Sequence, residues 1–177
     1  MDRAAFSEFA KERIIQSVIT IKGNRYPAFS LKYPAFYYFY FDDLSIKVKR
    51  NTAFLFIQKK KFVGEIKYKE ISKVKIAIIQ KLTNVMHVPT KVLQAEIVLF
   101  LKEGEAYHLD CESIGVFPDL IKQLQKKKIK IDDPLEIIEL LKQKETEEKA
   151  LDYVRDKIEE VAVKKGIELL RVTIKPI

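Results

Sequence analysis

The feature that most constrains the fold of this chain is a series of short apolar or alternating segments between Ala35 and Cys111. Apolar residues at every second position indicate strands with one buried face. The clearest alternation consists of Leu93, Ala95, Ile97, Leu99 and Leu101. One amphipathic helix, Phe117 to Lys128, follows the series. This order predicts an α+β fold, a seven-stranded antiparallel barrel or sandwich capped by one helix.

The turn signals divide this region into the seven predicted strands. Asn51-Thr52 and Lys59-Lys60-Lys61 are interpreted as hairpin tips on either side of an apolar strand, Ala53–Ile57. The alternation of Leu44, Ile46 and Val48 predicts a half-buried strand before the first tip. A long loop is expected from Gln80 to Lys91.

The flanks of this region are expected to be mainly helical. An amphipathic pattern over residues 3–15 predicts an N-terminal helix, and a strand is expected over 17–21. Asp133-Pro134 is a helix-start signal, and Thr146 is expected to begin a further helix that ends near Gly166.

Three segments follow from this pattern. We expect an N-terminal helix and connector over residues 1–30, the main domain over 31–131 and a C-terminal helical extension over 132–177. The last apolar run, Ile167–Ile174, is compatible with either a strand or a packed tail.

Charge is distributed unevenly along the chain. The net charge is +8, and residues 47–75 contain ten basic and two acidic residues. Residues 132–160 contain eleven acidic and five basic residues. The basic part therefore coincides with the predicted strands, and the acidic part coincides with the helical extension.

Three stretches resemble the bacterial pleckstrin homology-like (PH-like) domains. FYFDDLSI over 39–46 resembles the first hairpin of that family, and GEIKYKEISKV over 64–74 resembles the step into its fifth strand. FPDLIKQL over 117–124 resembles the closing helix. The resemblance covers about residues 31–131, and it implies the seven-stranded fold and a binding role.

Motifs for catalysis are not found in the sequence. It contains no G-x-G-x-x-G, Walker P-loop, H-E-x-x-H or G-x-S-x-G pattern. His108 and Cys111 are three positions apart on one predicted strand, which places them on opposite faces. We therefore predict no enzyme activity, no catalytic residue, no metal site and no cofactor.

The predicted binding residues are cations of the strand region. They are Lys47, Lys49, Arg50, Lys59, Lys60 and Lys61, as a lipid- or anion-binding set. The alternative is that these cations only coat the solvent face of a sheet and discourage edge pairing. The aromatic run over 33–41 is compatible with a stacking platform for nucleic acid, but packing beneath Phe6 and Phe9 is the preferred interpretation.

The sequence thus predicts a non-enzymatic, intracellular binding or scaffolding module with a protein partner. The alternative is peripheral binding to anionic lipid through the lysines. Nucleic-acid binding is not expected, and a homodimer through the helical tail is a further option. The charged N-terminus has no signal-peptide pattern, which predicts a cytoplasmic location.

Overall fold

The structure is a computed structural model that describes residues 3–10, 13–26, 37–54, 57–85 and 88–173. The strands are β1 (Ile14–Ile21), β2 (Asn24–Tyr26), β3 (Tyr37–Phe41), β4 (Ser45–Phe54), β5 (Ile57–Lys67), β6 (Ile71–Val85), β7 (Val88–Leu101), β8 (Ala106–Cys111), β9 (Lys130–Asp132) and β10 (Leu170–Thr173). The helices are α1 (Arg3–Ala10), α2 (Val116–Lys126), α3 (Ile137–Lys142) and α4 (Glu147–Lys164).

All ten described strands belong to one mixed sheet. Its order is β10-β6-β7-β8-β1-β3-β4-β5, with β2 on β1 and β9 on β6. The first half of β1 pairs in parallel with β8, and its second half pairs in parallel with β3. β9 and β10 both run parallel to β6, whereas the hairpins β3–β4, β4–β5, β6–β7 and β7–β8 are antiparallel.

The predicted seven-stranded antiparallel sandwich with one capping helix is therefore wrong. The described residues form ten strands and four helices, and four of the strand pairings are parallel. β1 is the main cause of the difference, because it lies between β8 and β3 and joins the two hairpin series into one sheet. At the other end, β9, at the boundary between the predicted main domain and the predicted extension, and β10, within the extension, both pair with β6.

Two predicted hairpin tips lie inside strands. β4 and β5 pair continuously, and this pairing includes Asn51 opposite Lys60 and Thr52 opposite Lys59. Lys59, Lys60 and Lys61 are therefore strand residues, and their charged side chains do not interrupt the backbone ladder. The strand predicted over Ala53–Ile57 does not exist as a separate element, because β4 ends at Phe54 and β5 begins at Ile57.

The long loop predicted between Gln80 and Lys91 is also wrong over most of its length. β6 continues to Val85 and β7 begins at Val88, with Thr83 opposite Thr90. Polar residues at 80–84 had suggested a loop, but extended pairing satisfies their backbone groups equally well. Residues 86 and 87, which include His87, lie outside the described residues.

One hydrophobic core joins all three predicted segments. It extends from Phe6 in α1, through the strands, to Val154 in α4. The Phe6 ring lies 4.9 Å from the Tyr37 ring and 6.3 Å from the Phe39 ring. This contact confirms the predicted packing beneath the N-terminal helix for Tyr37 and Phe39, whereas Tyr38 and Tyr40 lie on the other side of the sheet. Residues 27–36 of the connector lie outside the described residues.

The N-terminal helix is shorter than predicted. α1 ends at Ala10, and Ile14 already belongs to β1, where it lies opposite His108 of β8. The helical spacing of residues 3–15 thus gives way to strand pairing with a distant segment. This tertiary contact is not visible in the local pattern.

The elements after β8 agree closely with the sequence signals. α2 covers most of the predicted closing helix, and the Thr146 hydroxyl accepts a hydrogen bond from the backbone of Lys149 at the start of α4. Gly166 follows α4 with a φ of 64°, a conformation that suits glycine. Asp133 accepts bonds from the backbone of Ile137 and Ile138, although α3 begins three residues later than its start signal suggests.

The apolar side of α4 is buried within the chain itself. Ala150, Val154, Ile158 and Ala162 contribute to the core. The Glu159 carboxylate of α4 accepts a hydrogen bond from Gln80 of β6. The last apolar run forms a strand, β10, over Leu170–Thr173.

Among the described residues, no helix has the length and apolar character required to cross a membrane.

Candidate functional site

A basic face lies on the outer side of β1–β5, opposite the main core. We define the basic face by Arg25, Tyr38, Tyr40, Lys49, Lys60 and Phe62. Cross-strand register brings these residues together: Tyr38 is opposite Lys49, and Lys49 is opposite Phe62. Arg25 lies opposite Thr20 of β1, which is in turn opposite Tyr40.

The cations of the basic face are held against two tyrosine rings. The Lys60 Nζ lies 4.3 Å from the centroid of the Tyr38 ring, and the Lys49 Nζ lies 5.0 Å from that of Tyr40. The Arg25 guanidinium carbon is 5.8 Å from the Tyr38 centroid. Because the face of an aromatic ring attracts cations, the tyrosines permit three positive groups to gather on a small area.

The two tyrosines pack together with Val18 in a small apolar cluster. The centroids of the two rings are 6.5 Å apart, and the ring planes are nearly parallel. Tyr38 is buried, and Tyr40 is half-buried. The Tyr40 hydroxyl accepts a hydrogen bond of 3.3 Å from Lys60. These contacts fix the positions of the cations relative to the sheet.

Phe62 adds an exposed apolar group to this charged surface. It is 54% exposed and lies opposite Lys49 across the β4–β5 pair. The register shift between Val48 and Lys49 places one extra residue, Val63, in β5 next to Phe62. A large aromatic side chain among cations is a combination that binding surfaces use more often than inert ones.

Helix α2 fixes the turn between β3 and β4 that leads into this face. Gln123 donates a hydrogen bond of 3.1 Å to the backbone carbonyl of Asp42, and Lys126 pairs with Asp43 at 3.1 Å. Hydrogen bonding by Lys126 is the main cause of the lowered pKa of Asp43. Burial raises the pKa of Tyr68, which also contacts Gln123, to about 12.

The structure separates the six predicted site residues into two groups. The outer side of the sheet carries Lys47, Lys49 and Lys60. The other side carries Arg50 and Lys61, which lie opposite each other across the β4–β5 pair. The side chain of Lys59 lies outside the described residues, although its backbone belongs to β5.

Two of these cations differ from the others in their surroundings. Lys47 forms an ion pair of 2.8 Å with Asp42, and this hydrogen bond raises the pKa of Lys47. Arg50 is half-buried on the core side opposite Tyr37, and its buried Nε has no hydrogen-bond partner among the described residues. Neither residue is therefore included in the basic face.

Sequence reasoning missed Arg25 and Phe62. Arg25 is distant in sequence from β4 and β5, and only the pairing of β2 with β1 brings it to this surface. A strict alternation along β5 places Phe62 on the same side as the buried Ile66. The paired positions of Phe62 and Lys49 show why a strict alternation cannot place it.

The aromatic run offers little area for base stacking. Tyr37 and Tyr38 are almost completely buried, and Tyr40 is half-buried beneath cations. Single-stranded nucleic acid requires exposed rings on which bases can stack. The described part of the run therefore lacks the exposed tyrosines that such a site needs.

His108 and Cys111 lie on opposite faces of β8, as the spacing predicts. Cys111 is completely buried, and burial raises the pKa of its thiol to about 12. His108 is partly exposed on the other side. The two groups cannot act on one substrate atom. The residues that the structure describes contain no cluster of three or more metal-binding side chains.

Comparisons with known proteins give no further information about this surface. A scan against protein-family models, a search of curated proteins and a search of solved structures each found no match. The PH-like resemblance therefore stays a prediction, and the following proposals are based on the chain itself.

Proposed function

We propose that this protein is a non-enzymatic binding protein that attaches peripherally to an anionic membrane surface through the basic face. The observation that carries the proposal is the placement of Arg25, Lys49 and Lys60 around Tyr38 and Tyr40, next to an exposed Phe62. Cations attract anionic headgroups, and an aromatic side chain favours the membrane–water interface.

The charge balance of the basic face supports an anionic partner. Among the described residues, Lys49, Lys60 and Arg25 form no ion pair with a carboxylate, whereas Lys47 is neutralised by Asp42. Glu65 lies opposite Lys47, which is itself opposite Tyr40, so this carboxylate stands in the same cross-strand row as Tyr40. The cations on this side of the sheet still outnumber Glu65 and Asp42. The surface around the tyrosines is therefore positive.

The expected affinity is weak. Each cation near an anionic surface contributes about 1 kcal/mol, so the three cations contribute roughly 3 kcal/mol. Transfer of Phe62 from water adds about 1 to 2 kcal/mol, because half of the ring is already buried. The total of about 5 kcal/mol corresponds to a dissociation constant of roughly 0.2 mM, which is typical of reversible and salt-sensitive attachment.

The test is co-sedimentation with vesicles of phosphatidylcholine and phosphatidylglycerol, with vesicles of phosphatidylcholine alone as the neutral comparison. We expect binding to the anionic vesicles only, and loss of that binding as salt is added. The double variant Lys49→Ala/Lys60→Ala should bind about 30-fold more weakly, which is the effect of losing two cations.

The matched control is Lys122→Ala/Lys130→Ala, which removes two exposed cations outside the basic face. This control should bind anionic vesicles nearly as well as the wild type does. The proposal is wrong if wild type does not bind, or if the two double variants lose binding equally. Lys49→Arg/Lys60→Arg should retain binding, because the positive charge is kept.

A protein partner at the edge of the sheet is the second candidate. β5 stands at the end of the described strand order, and extended peptides bind sheet edges of this kind. Lysines along β5 would favour an acidic segment over an apolar one. Absence of vesicle binding in every condition would turn the search to such a partner.

The cytoplasmic location expected from the sequence is part of this proposal. The cytoplasmic leaflet carries the anionic lipids that attract basic segments. A fusion to a fluorescent protein tests this point. Wild type should be enriched at the inner membrane surface, and Lys49→Ala/Lys60→Ala should be evenly distributed.

A further inference from the structure

A second cluster of charged residues lies on the same side of the sheet as the basic face, but on strands β6–β8. Lys81 and Asp110 form a buried ion pair, with side chains that are only 6% and 3% exposed. Glu96 of β7 lies directly opposite Asp110 of β8, and its side chain is 8% exposed. Three charged side chains on three neighbouring strands are thus buried close to one another.

The charges of this cluster do not balance. Lys81 hydrogen-bonds to Asp110, whereas the only described ionic partner of Glu96 is His108, whose Nδ1 is 3.6 Å from Glu96 Oε1. That distance is too long for a hydrogen bond. Burial raises the pKa of Asp110, and the nearby Glu96 carboxylate raises it further. The ammonium of Lys81 lowers this pKa, but the net direction is upward. A buried carboxylate whose described ionic partner is a partly exposed histidine is unfavourable, so a bound cation would stabilise Glu96.

A cavity of about 470 Å³ opens next to Glu96 and His108. Its position follows from the pairing along the outer edge of β6. β9 pairs with Lys73–Lys75, and β10 pairs with Ile79–Leu82, so neither strand covers the edge at residues 76–78. The volume lies within the range of small-molecule pockets in proteins.

The walls of the cavity are mainly apolar. Ile14, Ala77, Leu169 and Leu170 contribute to the lining beside Glu96. Ile14 and Leu170 are among the few large apolar side chains that the described part of the chain leaves exposed. The cavity thus combines a buried carboxylate with an apolar wall.

Other charged groups of the lining are more accessible to water than Glu96. Arg13 and Glu168 are exposed, and Lys75 is half-buried. The Arg13 guanidinium is also stacked on the Phe9 ring at 4.8 Å. Solvent screens these groups, whereas it screens the buried Glu96 carboxylate much less.

We propose that this cavity binds a small aliphatic primary amine, with the ammonium group on Glu96 and the hydrocarbon chain against Ile14, Ala77 and Leu170. A carboxylate ligand would meet the buried carboxylate of Glu96, which repels it. A metal ion lacks ligands, because the described residues hold no cluster of three metal-binding side chains. A neutral alcohol would leave the charge of Glu96 unpaired. The proposal is independent of membrane attachment.

The test uses n-pentylamine as the probe, with pentanoate and n-pentanol as ligands of matched length. Binding is followed by NMR through the ring signals of His108, which lies beside Glu96. The chain has only one other histidine, so these signals are readily assigned. We expect saturable shifts with pentylamine and at least tenfold weaker binding of pentanoate and pentanol.

Glu96→Gln keeps the shape of the side chain and removes its charge, and it should lower the affinity for pentylamine at least tenfold. The matched control is Glu103→Gln, at an exposed position in the β7–β8 turn, and it should leave the affinity unchanged. Absence of saturable binding, equal binding of pentanoate, or an unchanged affinity in Glu96→Gln would overturn the proposal.

A series of ligands on the wild type keeps the test decisive if Glu96→Gln does not fold. Affinity should rise steadily from methylamine to pentylamine, because each added methylene contacts the apolar wall. Leu170→Ser removes part of that wall on a partly exposed strand and should weaken pentylamine binding severalfold. A flat series, or no effect of Leu170→Ser, would contradict the proposed position of the chain.

Discussion

Replacement of Lys81 by methionine should cause a large loss of stability. Lys81 is the direct partner of Asp110, and both side chains are almost completely buried. Removal of one member of a buried ion pair leaves an uncompensated charge and typically costs about 3 to 5 kcal/mol. For a chain of this length, that loss lowers the melting temperature by about 10 °C.

The assay is urea unfolding monitored by circular dichroism. The free energies of unfolding are compared on the condition that their slope against urea concentration is the same in all variants. The matched control is Lys91→Met, which removes an exposed ammonium that lies 3.5 Å from Glu159. An exposed pair contributes only about 0 to 1 kcal/mol, so this variant should remain close to wild type. The double variant Lys81→Met/Asp110→Leu should recover most of the stability, because an apolar pair can replace a buried ion pair.

The effect of Lys81→Met should also depend on pH. Burial raises the pKa of Asp110 above its ordinary value, and loss of Lys81 raises it further. The folded state then binds the Asp110 proton more tightly than the unfolded state does. Stability is therefore highest below the unfolded pKa and decreases as the pH rises towards the folded pKa.

The difference between wild type and Lys81→Met should accordingly shrink at acidic pH. A loss below about 1 kcal/mol at neutral pH would refute the assignment of Lys81 to a buried pair. The same conclusion would follow if Lys81→Met/Asp110→Leu were less stable than the sum of the two single variants predicts.

Three further predictions concern the rest of the molecule. Tyr26→Phe removes a 2.6 Å hydrogen bond to Asp119, which is the main cause of the lowered pKa of Asp119. The lowered pKa stabilises the fold above the unfolded pKa, so thermal melts should show a loss of about 1 kcal/mol at neutral pH and a smaller loss in acid. Gly166→Ala should cost about 1 kcal/mol in urea unfolding, since φ is 64°. Cys111 should react with a thiol reagent only after denaturation, because it is buried and its pKa is raised to about 12.

The local parts of the fold were predictable from the sequence. Alternation located β8 and the part of β7 over residues 93–101, helical spacing located α2, and Thr146 and Gly166 marked the ends of α4. These signals depend on neighbouring residues along the chain. The local pattern is therefore sufficient to recognise them.

The topology could not be predicted in the same way. The insertion of β1 between β8 and β3 joins segments that are distant in sequence, and parallel pairing leaves no turn signal. Lys59–Lys61 suggested a hairpin tip because lysines are common in turns, but they occupy a strand that pairs along its length with β4.

The candidate site was predictable only in part. The alternation of polar and apolar residues in β4 correctly placed Lys47 and Lys49 on the outer side of the sheet. Arg25 reaches that side only because β2 pairs with β1. Glu96 lies between the apolar positions of its strand, and this position by itself predicts exposure to solvent. Its burial depends on the three-dimensional environment of β7.

If the basic face contacts an anionic membrane, the fluorescence of Phe62→Trp should report that contact. The chain has no tryptophan, so the new residue is the only indole fluorophore. The matched control is Val163→Trp, at an exposed position on α4. We predict a blue shift of emission for Phe62→Trp on anionic vesicles, reversed by salt, and no shift for Val163→Trp. No shift on any vesicle, or equal shifts for both variants, would mean that the basic face does not contact the membrane.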